Sequence, residues 1–239
     1  MPKTVTLTID GTRVEAQPGE KIIEAADVAG IYIPRLCHKP GLEPSGSCRL
    51  CTVMVNGRSC SACTTPVADG MVVENDVESI RQFRKMIVEM LFVEGNHFCM
   101  FCEKSGNCEL QAVAYRFGIM APRYPYLWPK REVDASHPDI LIDHNRCILC
   151  GRCVRTSRDI DGKHLFDFIE RGGKKRLGVN AQGGLAHTNA DVSDQALDAC
   201  PVGALLRKRV GYQEPIGQRL YDIQPIGSEI EGKGRKNHV

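Results

Sequence analysis

The chain has 239 residues, 42% of them apolar, enough for one large domain or two to three small ones. Its 31 basic and 29 acidic residues are mixed along the sequence, and a net charge of +2 argues against a dedicated nucleic-acid surface. No apolar run approaches the roughly 18 to 20 residues that span a bilayer, and the start has no secretory pattern. The chain is therefore expected in the cytoplasm, where twelve cysteines point to metal binding rather than to disulfides.

The first elements read as a small α+β unit over residues 1–78. Residues 5–9 alternate as Val-Thr-Leu-Thr-Ile, Asp10-Gly11 offers a tight hairpin turn, and 13–16 form the return strand. A short helix is expected over 21–29, ended by Gly30. Strands follow at 51–55 and 71–74, with Asn56-Gly57 as a second hairpin signal. This order is that of a ferredoxin-like β-grasp.

Residues 79–120 are expected to be helical. Ile80, Phe83, Ile87, Met90 and Leu91 recur at helical spacing, with Asn75 or Asp76 as N-cap, and a second helix over 109–117 is closed by Gly118. Four prolines between 121 and 138 predict an extended linker. Its Tyr124, Tyr126 and Trp128 need a surface, either on this chain's own domains or on a partner subunit. Residues 139–210 form a further compact unit, and 211–239 lack periodicity and read as an extended docking tail, disordered at its end.

The cysteines fall into three groups. Cys37, Cys48 and Cys51, followed by Cys60 or Cys63, lie with Gly41 and Gly46 in a loop whose backbone N–H groups can approach a 2Fe-2S cluster. Whichever of Cys60 and Cys63 is not used is a buried free thiol. His97 stands beside Cys99, Cys102 and Cys108, and three thiolates with one imidazole suit a 4Fe-4S cluster of reduced negative charge. Cys147, Cys150 and Cys153 repeat a two-residue gap, and Cys200 before Pro201 supplies a remote fourth ligand for a second 4Fe-4S cluster. In two-cluster bacterial ferredoxins a further cysteine would stand at position 157, which here is Ser157, so the second cluster of that fold is absent. Zinc also binds paired cysteines, but gives no reason for three close cysteines and a distant Cys-Pro.

These strings carry a resemblance. The gaps of ten, two and eleven residues to Cys63, with Ser47-Cys48-Arg49-Leu50-Cys51 and Ala62-Cys63-Thr64-Thr65-Pro66, resemble the N-terminal part of the large iron-sulfur subunit of NADH dehydrogenase and of iron-only hydrogenase. That likeness implies Cys63 as the fourth 2Fe-2S ligand. The gaps of two and five after Cys99, followed by Glu109-Leu110-Gln111, are similar to the site of one histidine and three cysteines in the same families. There three residues separate the histidine from the first cysteine; here only Phe98 does, and Gly95 occupies the family's histidine position, so either the loop is rebuilt around His97 or another group completes the shell.

Taken with 95–97, 103–106, and the tail segments 209–212 and 215–217, the whole chain resembles the small diaphorase iron-sulfur subunit of NAD-reducing nickel-iron hydrogenase. The resemblance implies one 2Fe-2S and two 4Fe-4S clusters here, with FMN and NAD on a partner diaphorase subunit only. It also implies hydrogenase small and large subunits as further partners, and a relay role with no catalytic residue in this chain. No dinucleotide fingerprint and no P-loop occur in the sequence. A relay subunit of an NAD-linked formate dehydrogenase or NADH dehydrogenase, or a free-standing electron carrier, is the alternative.

Overall fold

The computed structural model describes residues 4–234. Strand β1 (Val5–Ile9) turns at Asp10-Gly11, both at positive φ as a two-residue hairpin of matching twist requires, into β2 (Thr12–Ala16). Helix α1 (Ile22–Val28) crosses the sheet and opens on a bond from the Lys21 N–H to Glu24 Oε2. Strands β3 (Thr52–Val55) and β4 (Arg58–Ser61) form the second hairpin around Asn56-Gly57, and β5 (Val72–Glu74) completes a mixed sheet in the order β2-β1-β5-β3-β4. The period of two buries Leu7 and Ile9 on one strand and Val14 and Ala16 on the next, and these pack on Ile22, Ile23 and Ala26 of α1. This is the expected β-grasp.

Helix α2 (Glu78–Val93) runs from the sheet to the next unit and packs on α3 (Glu109–Arg116). Two expectations for α2 need correction. Its N-cap is Val77, without a side-chain cap, because Asn75 Oδ1 accepts from Arg84 Nη2 at 2.7 Å and Asp76 faces Arg81 Nε at 3.3 Å. Its inward stripe centres on Ile80, Arg84 and Val88, while Met90 is 42% exposed. Arg84 is buried in full and bonds Leu50, Thr52 and Asn75, so a polar residue occupies what periodicity assigns to apolar side chains.

The linker is irregular, as expected, except that β6 (Val133–Asp134) adds to the sheet of the following unit, pairing with β7 (Ile140–Asp143). Its aromatics rest partly on this chain. Trp128 stacks on Tyr126 at 4.9 Å between centroids and lies 6.1 Å from Phe98, yet remains 58% exposed.

The last unit places α4 (Arg152–Asp159) and α5 (Gln195–Ala199) against each other, inserts the hairpin β8 (Phe166–Ile169) and β9 (Arg176–Val179), and ends on β10 (Leu205–Arg207), antiparallel to β7. Ser157 explains how a ferredoxin arm is replaced. It is wholly buried, and its Oγ accepts from the Leu165 N–H at 2.9 Å, tying α4 to the inserted hairpin.

The tail differs from an extended segment. It carries α6 (Leu220–Ile223) and α7 (Ser228–Gly234), and Ile226, 6% exposed, anchors it in the core while α7 packs on α1. Short amphipathic turns gain stability from such packing rather than from their own length, which is why periodicity alone did not show them. The expected disorder at the chain's end concerns residues 235–239, outside the described residues.

Candidate metal centres

In the first group the loop from Cys37 to Cys51 turns back through Gly41, Gly46 and Arg49, all at positive φ. The Cys37 N–H donates to Cys48 Sγ at 3.4 Å, and the Cys48 N–H to Cys37 Sγ at 3.4 Å. Cys51 Sγ lies 3.3 Å from Cys63 Sγ. Thiol bonds from Cys48 and Cys63 hold Cys37 well below its ordinary range, and the bond from Cys63 brings Cys51 to about 7. These four sulfurs thus form one cluster of mutual contacts. Cys60 sits on β4 opposite Val53, half-buried, outside these contacts. Thr64, next to Cys63, leaves only 3.2 Å for a side chain at Gly46.

Serine substitution separates the two cysteines. Cys63→Ser is expected to abolish the 2Fe-2S electron paramagnetic resonance signal and Cys60→Ser to leave it unchanged. The reverse pattern would move the fourth ligand to Cys60.

The second group lines one small cavity with Phe92, Arg146 and Gly203: His97, Cys99, Cys102 and Cys108 all face it. Cys99 belongs to a single 3₁₀ turn, and Cys108 is the N-cap of α3. Burial pushes the Cys108 thiol up to about 12 and also raises Cys99 and Cys102. Burial lowers His97 to about 4, favouring a neutral imidazole. Its Nε2 is buried with no partner among the described residues.

The Gly95 departure has a physical account. A Cβ at Gly95 would stand 2.6 Å from His97 Nε2 and 2.8 Å from the Asn145 carbonyl. The imidazole of His97 fills the space beside position 95.

In the third group Cys147, Cys150, Cys153 and Cys200 line a cavity walled by Ile148, Phe168, Leu177 and Leu205. Burial raises Cys147 to about 11 and Cys150 to about 12, and pushes Cys153 up as well, with the neighbouring sulfurs adding to each. Leu149 and Gly151, both at positive φ, wind the loop around the cavity.

All twelve expected site residues therefore come together in three separate sets. The donor sets suit iron-sulfur clusters: four sulfurs in mutual contact in the first set, thiols in the other two that burial keeps from ionising without a cation, one orphaned imidazole nitrogen, and a cradle at Gly203, where an added Cβ would lie 2.6 Å from Cys102 Sγ.

Arginines beside the cysteines were not singled out from the sequence. Arg146 lies 3.5 Å from Cys102 Sγ and pairs with Glu103 at 2.7 Å and Asp143 at 2.9 Å. Arg152 pairs with Glu109 at 2.6 Å and donates to the His38 carbonyl at 2.8 Å. The signal was present in Arg146-Cys147 and Arg152-Cys153, where a cation adjoins a ligand candidate.

Fold and sites together define an iron-sulfur protein. Residues 2–78 match the family described as a 2Fe-2S iron-sulfur cluster binding domain, 84–123 the NADH-ubiquinone oxidoreductase-G iron-sulfur binding region, and 137–206 the ferredoxin-like domain of NADH-quinone oxidoreductase subunit 3. The gamma subunit of the NAD-reducing hydrogenase HoxS from Cupriavidus necator is 41% identical over 97% of this chain and 100% of its own length. The chain belongs to the family of that HoxS gamma subunit.

A solved structure of NAD+-reducing [NiFe]-hydrogenase in the H2-reduced state contains a chain 44% identical to this one, with a TM-score of 0.90 over 95% of this chain and 98% of that one. The mitochondrial 78 kDa subunit of NADH-ubiquinone oxidoreductase from Candida albicans is 36% identical over 87% of this chain, which spans only 29% of that subunit.

Proposed function

We propose that this chain is the electron-relay subunit of an NAD-reducing hydrogenase in the cytoplasm. It holds a 2Fe-2S cluster on Cys37, Cys48, Cys51 and Cys63, and 4Fe-4S clusters on His97, Cys99, Cys102 and Cys108 and on Cys147, Cys150, Cys153 and Cys200. The clusters supply one-electron storage and transfer, and the protein's part is to space, orient and bury them.

The observation that carries this reading is the way the three sets adjoin. The Glu109 N–H, next to Cys108, donates to the Pro201 carbonyl, next to Cys200, at 2.8 Å. Arg155 Nη2 donates to the carbonyls of Cys37 at 2.6 Å and Cys150 at 3.3 Å. The Cys147 set therefore adjoins both of the others, and a cluster held there would offer an electron a step between the other two.

Partners are inferred at the ends: a flavin- and NAD-binding diaphorase subunit, and the small and large hydrogenase subunits. A groove of about 760 Å³ beside Cys99 and Cys102, lined also by Met100, Tyr212, Pro215 and Ile216, suits a docked subunit. Met100 and Ile216 are 86% and 85% exposed, and Phe98 and Phe101 extend this apolar surface. Among the described residues no helix is long and apolar enough to cross a membrane.

The native complex tests the proposal through its subunits and metals. The chain should bring about ten irons, the sum of one 2Fe-2S and two 4Fe-4S clusters, and co-purify with a flavoprotein and nickel. Molybdenum or tungsten would point to a formate dehydrogenase, isolation without partners to a free carrier, and stoichiometric zinc with little iron would end the cluster reading.

A further inference from the structure

Of the four buried arginines among the described residues, two face a carboxylate, Arg35 facing Asp27 and Arg152 facing Glu109, as does the half-buried Arg146, which faces Glu103 and Asp143. Arg155, 8% exposed, is different. All its bonds go to backbone carbonyls: Nη2 to Cys37 and Cys150, Nη1 to Glu43 at 2.6 Å, and Nε to Gly151 at 3.2 Å. No carboxylate lies within ion-pair distance of it among the described residues. The acid one turn further along, Asp159, is held by Arg158 at 2.6 Å.

A guanidinium stays protonated at any working pH, and a buried charge without a counter-charge is strongly disfavoured. Carbonyl dipoles offset part of that cost. The remainder calls for an anion that the protein's own side chains do not supply. Two of the carbonyls belong to Cys37 and Cys150, residues of two different cysteine sets. Arg84 also lacks a carboxylate, but it reaches only the first set, through Leu50 between Cys48 and Cys51. Arg152 spans two sets, yet Glu109 neutralises it.

We propose that Arg155 is the shared counter-cation of the 2Fe-2S cluster and the 4Fe-4S cluster of the Cys147 set, a positioning residue that raises the reduction potential of both. The proposal rests on the ligand assignment given under the proposed function. Reduction adds negative charge to each cluster, and a fixed cation in a low-dielectric interior favours the more negative state. The same guanidinium holds the Cys37 and Cys150 loops at a fixed separation.

The test uses the full chain, anaerobically reconstituted, with iron and sulfide counted and each cluster's midpoint potential followed by electron paramagnetic resonance. Arg155→Gln is expected to lower the midpoints of both neighbouring clusters and leave that of the His97 set in place. Arg155→Lys, which keeps the charge, should stay near wild type. Arg158→Gln, an equal charge change on the exposed side of α4, should move none of them. A fully loaded Arg155→Gln with unchanged midpoints overturns the proposal.

If Arg155→Gln fails to hold iron, Arg155→Lys decides. Full iron at wild-type midpoints supports a requirement for charge, and loss of iron there too reduces Arg155 to a folding role and overturns the proposal. A wild type without iron overturns the ligand assignment itself, an outcome distinct from any of these.

Discussion

Replacing His97 by alanine is expected to leave the chain with about six irons instead of about ten, because a 4Fe-4S cluster with one open corner is labile. The motive is geometric: His97 Nε2 is buried and unpaired, and the ring faces the cavity of Cys99, Cys102 and Cys108. A buried acceptor left without a partner is costly, and a bound iron removes that cost. His97→Cys should keep the cluster but lower its midpoint potential, since an anionic ligand replaces a neutral one. Gly95→Ala offers an independent check. Its Cβ would press on the imidazole from 2.6 Å and should weaken cluster retention without removing any ligand. Iron content and midpoint potential in the assembled complex are the measurements. A full cluster at unchanged potential in His97→Ala would place the fourth ligand elsewhere.

The second large effect is expected at Arg84. Its guanidinium donates to the carbonyls of Leu50 at 2.9 Å, Asn75 at 3.0 Å and Thr52 at 2.8 Å, and to the Asn75 side chain at 2.7 Å. It thereby fastens α2 to the loop that carries Cys48 and Cys51. Arg84→Ala removes every donor and opens a void, so a loss of about 3–5 kcal/mol is expected, in the range for breaking a buried polar network. Arg84→Met keeps most of the volume and isolates the part due to the abandoned carbonyls. Urea titration of the holo chain, followed by the 2Fe-2S signal, would show the midpoint falling in both variants, further in alanine. An unchanged midpoint in Arg84→Met would mean that the carbonyls find other partners.

The β-grasp was legible because its signals are local. Asp10-Gly11 and Asn56-Gly57 specify two-residue turns, and alternation over Val5–Ile9 specifies which face is buried. Helix α2 was legible in extent but not in its inward face. A guanidinium at Arg84 reads as solvent-facing in any pattern, and only the three carbonyls brought from the loop and from Asn75 make burial favourable. The tail failed for a related reason: the turns of α6 and α7 exist because Ile226 finds a site in the core and α7 finds α1, contacts between residues some two hundred positions apart.

For the cysteines, the sequence by itself gathered the three sets that the fold brings together, because residues on one short loop need only the right gaps, and Cys-Pro marks the remote member. Between Cys60 and Cys63 the residues alone left a choice that a resemblance had to make. Only the tertiary structure separates them physically, since β4 carries Cys60 to a place opposite Val53 while Cys63 reaches Cys51. That the Cys147 set adjoins both of the others was likewise decided by the fold. It depends on Arg155 meeting Cys37 across 118 positions of chain and on Glu109 meeting Pro201. Spacing within a loop is written locally, but the order of sites along an electron path is set by which loops pack together, and packing is a property of the whole chain.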